Sequence, residues 1–558
     1  MTHISKAAFI AAAIAAATAT AAAQSPDDGN PNNVTVHGSV QADILFPDKD
    51  ITIGSTVYKG DIYANIYADA SVYSKYVDGG VRFEYLEHPI PGFEPAMKGW
   101  GVPNIYVKGK FKGIELTAGD FYEQFGSGFI LRTYEERSLG IDNSIRGGRL
   151  AVKSLPGMRL TALGGVQRVY WDWSKKSQIY GANYEIDLQQ FVKSLTRHGA
   201  SLTLGASYVL KHESDQDIPV PGTNYRLNLP KSVNSFDLRA HYQQNGWGVL
   251  AEWAWKGQDP SLDNEYTYGN GNALLLSGSY SRSGFSALVQ AKRSENFAFR
   301  SKRSMSGIAG FINNMPPFAY QHTYTLAAMY PYATQAAPGE WAFQGSFAYK
   351  FKRKTTLGGR YGTTVKLNMS WIRGLSGTEP AKFHGSYYGT DGVSTKFFGM
   401  GEAYYHDINL QIEKRLTPWF NLNFMYMNQM YNQYIVEGHG DRKVKSNIFV
   451  LDTKFKLSRK VTLRTELQYL TTPQDHGDWC YGLAEVSVLP YLMFSASDTW
   501  NCGGGRGHFY QFGITGNYKA NRLMLSYGRT RDGYNCSGGV CRYVPESRGF
   551  TLSYNYNF

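Results

Sequence analysis

The chain has little of what marks a soluble enzyme or a helical membrane protein. Only four of its 558 residues are cysteine, and charged residues make up 18%, against roughly 25% in an ordinary soluble domain. Beyond the first two dozen residues no apolar stretch approaches the ~18 residues that a membrane-spanning helix needs, and the mean hydropathy is -0.37. A helical membrane protein is thereby excluded. No P-loop, H-E-x-x-H or serine-centred elbow occurs, so no enzyme activity and no cofactor are expected. A β-propeller would show a blade repeat of about 40 residues, and none is visible. The net charge of +12 comes without a basic run or recognition motif, so nucleic-acid binding does not follow from it.

What the chain does have is aromatic residues, 15%, and glycine, 60 residues. The last nine residues alternate without a break. Phe550, Leu552, Tyr554, Tyr556 and Phe558 fall on one face of a period-two strand, and Thr551, Ser553, Asn555 and Asn557 on the other. In a membrane barrel this pattern turns aromatics toward lipid and small polar groups toward a wet lumen. A terminal strand ending in Phe also resembles the signal by which bacterial outer-membrane barrels are handed to their assembly machinery. At the other end, Lys6, an Ala/Ile-rich run and Ala21-Ala22-Ala23 read as a secretory signal over residues 1–23, followed by a polar leader over 24–33. Only a barrel both spans a membrane and looks this polar, because lumen-facing positions dilute the lipid-facing ones.

From Val34 onward, hairpins alternate very short connections with long ones. Asn245-Gly246, Ser283-Gly284, Leu416 to Pro418, Ser458 to Lys460 and Ala520 to Arg522 are short. Residues 213–231, 257–270, 296–320, 375–398 and 534–547 are long, the asymmetry of periplasmic turns and outer loops. In the hairpin 446–472, Phe449, Leu451, Phe455, Leu457, Val461, Leu463, Leu467 and Tyr469 share one face. Asp452, Lys454, Lys456, Arg464, Glu466 and Gln468 share the other, where charge requires water. Trp247, Val249, Ala251, Trp253 and Trp255 alternate in the same way against Glu252 and Lys256. The count gives an all-β, transmembrane antiparallel barrel of about 24 strands, with 22 and 26 as neighbours, over residues 34–558 and with no plug domain. The ambiguity lies in 321–374, where Pro331 to Gly339 reads as a turn or as part of a loop.

Three groups of residues invite chemistry. The segment 119–147 carries Arg132, Glu135, Glu136, Arg137, Asp142 and Arg146 among glycines, a pattern like the folded-in constriction loop of porins. A surface loop laced by weak local ion pairs explains the same residues. His439, Asp441, Asp475, His476 and Asp478 lie in neighbouring outer loops, where a metal or rim hydrolase site is the weaker reading and plain polar turns the stronger. The four cysteines suggest two disulfides in an exported chain, Cys480–Cys502 and Cys536–Cys541, with free thiols or another pairing as alternatives. Among inward positions, Lys108, Lys110, Lys112, Arg149, Lys153, Lys454, Lys456 and Arg464 outnumber Glu115, Asp452 and Glu466, which implies a weak anion preference.

The segments Glu136 to Ser144, Thr465 to Leu470 with Gln474 to Trp479, and Cys536 to Arg542 carry a resemblance to a family of porin-like outer-membrane β-barrel proteins of Bacteroidota with no assigned function. The resemblance implies a location in the outer membrane of a Gram-negative cell and a barrel fold, and it brings no substrate and no catalytic residue. The expected function is a passive, porin-like channel for small hydrophilic solutes. The alternatives are a structural or partner-binding barrel whose lumen is closed by loops, associated with an exported or surface protein, and, third, a rim His/Asp hydrolase. The expected partners are outer-membrane lipid, the assembly machinery and the permeating solute.

Overall fold

The structure is a computed structural model that describes residues 34–52, 62–173 and 176–558. The signal and leader expected over 1–33 lie outside the described residues. Alternating sequence becomes a 24-stranded antiparallel sheet. It closes because the strand Thr35–Pro47 pairs on one side with Tyr63–Tyr73 and on the other with the final strand Ser547–Asn557. Closure leaves no unpaired edge, which is the condition for a sheet to stand in hydrocarbon. At the seam Gly38 and Phe558 exchange both backbone hydrogen bonds at 2.9 Å. The Phe558 ring lies where a Cβ on Gly38 would sit, so this glycine makes room for the terminal aromatic. Tyr554 and Tyr556 pack with Val40, Ala42, Ala64 and Ile66 in one apolar cluster on the face opposite Ser553 and Asn555.

The hairpin 446–472 has the expected phase. The strands Val444–Lys456 and Val461–Thr471 pair Phe449 with Tyr469, Leu451 with Leu467 and Asp452 with Glu466. Leu467 is 60% exposed while Glu466 is buried, so the apolar row faces outward and the charged row inward. Trp247 and Trp253 are likewise exposed, with Glu252 and Lys256 buried behind them. Exposed large apolar side chains of this kind recur from strand to strand and make a face suited to lipid. At the Asn245-Gly246 turn both residues have positive φ, 48° and 85°, which matches the right-handed twist of the flanking strands.

The ambiguous region 321–374 resolves into the end of one long loop followed by the strand Glu340–Phe351 and most of the strand Thr363–Thr378. Residues 296–339 connect the strands Phe285–Glu295 and Glu340–Phe351, and Pro331 to Gly339 belong to that loop. The predicted loop 375–398 is shorter, because the strands Thr363–Thr378 and Ser394–Arg415 extend into it from both sides. Among the described residues no separate plug domain exists. The main apolar core nevertheless lies inside the barrel, where Phe125, Phe129, Ile130, Leu131, Phe297, Phe299, Ile312 and Leu326 pack against inward residues of the wall with no exposure. Two loops, 122–144 and 296–339, fold into the lumen and fill part of it.

Candidate functional site

The apolar part of the closure is built strand by strand. From Tyr320 to Leu326 the longer loop crosses successive strands and takes polar contacts from most of them, and at Tyr330 it returns to the strand Phe420–Tyr431. Tyr320 N donates to Ser370 Oγ at 2.9 Å, and His322 Nε2 lies 2.5 Å from Asp407 Oδ2. Tyr324 Oη donates to Asp452 Oδ2 at 3.2 Å, and Leu326 N donates to Gln468 Oε1 at 2.8 Å. Gln429 Nε2 donates to the Tyr330 carbonyl at 3.1 Å. Between these contacts the inward apolar residues Ile372, Met425, Met427, Ile448, Val450 and Leu470 meet the loop.

Two wall lysines, fully buried, fasten the start and middle of the same loop, and a third, equally buried, holds the neighbouring loop 257–270. Lys256 Nζ donates to the Ala298 carbonyl at 2.6 Å, Lys211 Nζ pairs with Asp259 at 2.7 Å, and Lys292 Nζ pairs with Glu340 at 2.7 Å while also reaching the Pro316 carbonyl. A buried ammonium without such partners would be costly, so these positions fix the loop's path. The two loops then lock to each other. Asn313 Nδ2 donates to the carbonyls of Phe129 and Phe297 at 2.9 and 2.8 Å, and Arg132 N donates to the Ile312 carbonyl at 2.8 Å. Glu252 accepts from Ser127 N at 3.0 Å and from its hydroxyl at 2.5 Å. Gly181 leaves the space for Phe125, since a Cβ there would stand 3.0 Å from the ring.

On the opposite wall the closure is ionic. Arg82 reaches Asp69 at 2.6 Å, Glu135 at 2.7 Å and Asp142 at 3.1 Å. Arg137 reaches Asp69 at 2.7 Å and Glu135 at 2.5 Å, and its guanidinium lies 4.6 Å over the Tyr67 ring. Arg168 reaches Glu84 at 2.7 Å and Asp142 at 2.6 Å. Three arginines and four carboxylates thus tie the tip of the 122–144 loop to the strands Tyr63–Tyr73 and Val77–Leu86. Burial pushes the Glu135 carboxyl up, against the pull of Arg82 and Arg137.

The predicted loop charges divide accordingly. Glu135, Arg137 and Asp142 join the network. Arg132 lies over Tyr134 at 5.0 Å, and Glu136 accepts from Ser138 Oγ at 2.7 Å. Arg146 sits in the strand Ile145–Val152, paired with Asp120 at 2.8 Å under Trp173. Their partners Asp69, Arg82, Glu84 and Arg168 were not singled out from sequence. A signal existed, since Asp69 is the one charge in the strand Tyr63–Tyr73, and Asp78, Arg82 and Glu84 fall on one face of Val77–Leu86.

Five of the eight predicted lumen cations are ion-paired. Asp78 lies 3.7 Å from Lys108 and 2.7 Å from Lys110. Lys153 meets Glu115 at 3.0 Å, Arg149 meets Glu123 at 2.5 Å, and Arg464 meets Asp452 at 3.1 Å.

At the outer rim the disulfide Cys536–Cys541 closes a small hairpin, Gly533–Ser537 with Val540–Val544. That hairpin caps both inner loops. Thr334 N donates to the Gly539 carbonyl at 3.1 Å, and Arg542 Nη2 donates to the Ser138 carbonyl at 3.1 Å. Burial lowers the Arg542 guanidinium to about 10. Cys480 and Cys502 face each other as two thiols with sulfurs 3.4 Å apart, at the positions the sequence pairs. The rim His/Asp groups come near one another in part. Asp475 N donates to Asp441 Oδ2 at 3.0 Å, while His439 turns to Glu437 at 3.7 Å and His476 to Asp475 at 3.6 Å. Asp478 accepts from Thr472 N at 3.0 Å and from Tyr469. Among the described residues no group of three or more His, Cys, Asp or Glu side chains is placed to hold a metal ion.

The sequence matches a family of unknown function, DUF6029, over residues 4–558. The chain belongs to that family. No curated protein matches it. Among solved structures it is similar to the siderophore receptor PirA from Pseudomonas aeruginosa, at 11% identity and a TM-score of 0.41 over 94% of this chain and 81% of that one. It is also similar to OccAB2 from Acinetobacter baumannii, at 11% identity and a TM-score of 0.36 over 94% of this chain and 98% of that one. Neither likeness is close enough to assign a role to any residue here.

Proposed function

We propose that this family member is an outer-membrane channel for small hydrophilic solutes that is closed at rest by its own two inner loops. The observation that carries this reading is the double closure, an apolar loop packed along most of the wall and a charged loop tip tied to the rest. The lumen face away from the apolar core keeps charged and polar side chains, Lys108, Glu115, Thr117 and Arg149 among them, around a space of about 440 Å³. A polar vestibule of that kind supports a water-filled path below the plug. Because most predicted lumen cations have acidic partners, the proposed anion preference is small. The apolar packing also supports the second reading, a closed barrel that presents its outer loops to a protein partner.

Swelling of proteoliposomes containing the refolded chain, in an isotonic neutral sugar, tests the proposal. The wild type should swell slowly, and Arg82→Ala with Arg137→Ala should swell several-fold faster. Rapid swelling of the wild type would show a standing pore. If the double variant, folded by heat-shifted gel mobility, swells no faster, the partner-docking reading takes its place.

A further inference from the structure

The disulfide-closed hairpin covers a cavity of about 220 Å³ where it meets both inner loops. Tyr134, Phe311, Tyr431 and Tyr534 supply aromatic surface, Val436 and Met315 apolar surface, and among the described residues no Asp, Glu, Lys or Arg lines it. Ligand pockets commonly measure roughly 300–1,000 Å³, so this one holds a single ring and not a chain. Its polar equipment is incomplete. Asn313 has its amide fully engaged with the loop backbone, but Asn314, 5% exposed, lines the same cavity with an Nδ2 that has no hydrogen-bond partner. A buried amide N–H without an acceptor destabilises the fold, and an occupant bearing an acceptor oxygen would recover that loss.

We propose that this cavity is a binding site for one uncharged sugar ring. A pyranose presents C–H groups on its faces, which pack on aromatic rings, and hydroxyl or amide oxygens at its edge, which accept from Asn314. A carboxylate would be excluded, since no cation stands ready to meet it. The pocket is walled by the 122–144 loop through Tyr134, by the 296–339 loop through Asn314 and Thr334, and by the cap through Tyr534 and Val540. An occupant therefore touches all three segments that close the lumen. Its influence on opening rests on the closed-lumen reading above; its binding does not.

Isothermal titration calorimetry on the refolded full chain in detergent, with glucose and N-acetylglucosamine as probes and glucuronate as the charged control, decides the matter. At least one neutral sugar should bind saturably and glucuronate should not. Asn314→Ala and Tyr534→Ala should each weaken binding at least tenfold, and Val540→Trp, which fills the cavity from the cap, should abolish it while the barrel keeps its heat-shifted mobility. Absence of binding by both neutral sugars, or binding that all three substitutions leave unchanged, would overturn the site. Because the measurement involves no conductance, a chain that proves permanently open would sink the gate and leave this result standing.

Discussion

The two sides of the closure use different physics. Along the wall from Ile372 to Leu470 the lumen is filled mainly through apolar contacts, with Ile448, Val450 and Leu326 wholly buried, and a few buried hydrogen bonds, two of them to Asp407 and Asp452, supplement them. Across from it the seal is a knot of Arg82, Arg137 and Arg168 with Asp69, Glu84, Glu135 and Asp142. Apolar burial is not screened by salt and is hard to undo in part, because each residue removed from the plug exposes its neighbours. Ion pairs that are partly exposed are weakened by salt and can be exchanged one partner at a time. In the proposed gating the ionic side therefore yields first and the apolar side is the fixed wall.

Removing the apolar side altogether should have the largest effect. A chain in which residues 297–334 are replaced by a short Gly/Ser turn should form the same barrel and conduct in large, steady steps; unchanged conductance would show that this loop does not seal the lumen. Next comes Arg82→Ala, which takes one of two arginines from each of Asp69, Glu135 and Asp142 and leaves them Arg137 or Arg168. Breaking a buried pair from one side costs about 3–5 kcal/mol, so openings should become frequent, and their dependence on salt should flatten relative to the wild type. Phe129→Ala should cost the plug a similar ~3–5 kcal/mol, but the openings it produces should not depend on salt. An equal salt response in both variants would erase the distinction between the two sides. Smaller again, Glu252→Gln keeps the shape but replaces one of the two oxygens that accept from Ser127 with an amide nitrogen, at about 1–3 kcal/mol; faster proteolysis within 122–131 in the folded barrel reads it out.

Much of the barrel was legible in the sequence, and the closure was not. Alternation in the hairpin 446–472 shows which residues face outward, because the side-chain period of a strand is two. It gives the polarity of each face and says nothing of what stands opposite it. The lumen filling did leave a trace in that hairpin. Ile448 and Val450 interrupt a polar inner row and turn Ile448 to Leu451 into a run apolar on both faces, the mark of a strand buried on both sides. The charged end of the same inner row, Asp452 to Lys456, drew the reading toward an open lumen. Of the loop 296–339, the part from 321 stayed ambiguous because Tyr324, Tyr330 and Tyr332 look like strand aromatics, although their hydroxyls and backbone serve contacts inside the barrel. The charged segment 119–147 allowed both a folded-in loop and a surface loop, because its ionic wall partners Asp69 and Arg82 come from strands 53 to 68 residues away in sequence, a pairing that only the closed sheet brings together.

The central claim is that the lumen is shut in the resting protein. Single-channel recording of the refolded wild-type chain in a planar bilayer, in symmetric salt and with insertion confirmed independently, tests it most directly. The account predicts a closed baseline with brief openings that become more frequent as salt is raised. Long-lived open steps of porin size from the moment of insertion, insensitive to salt beyond its effect on bulk conductivity, would contradict it.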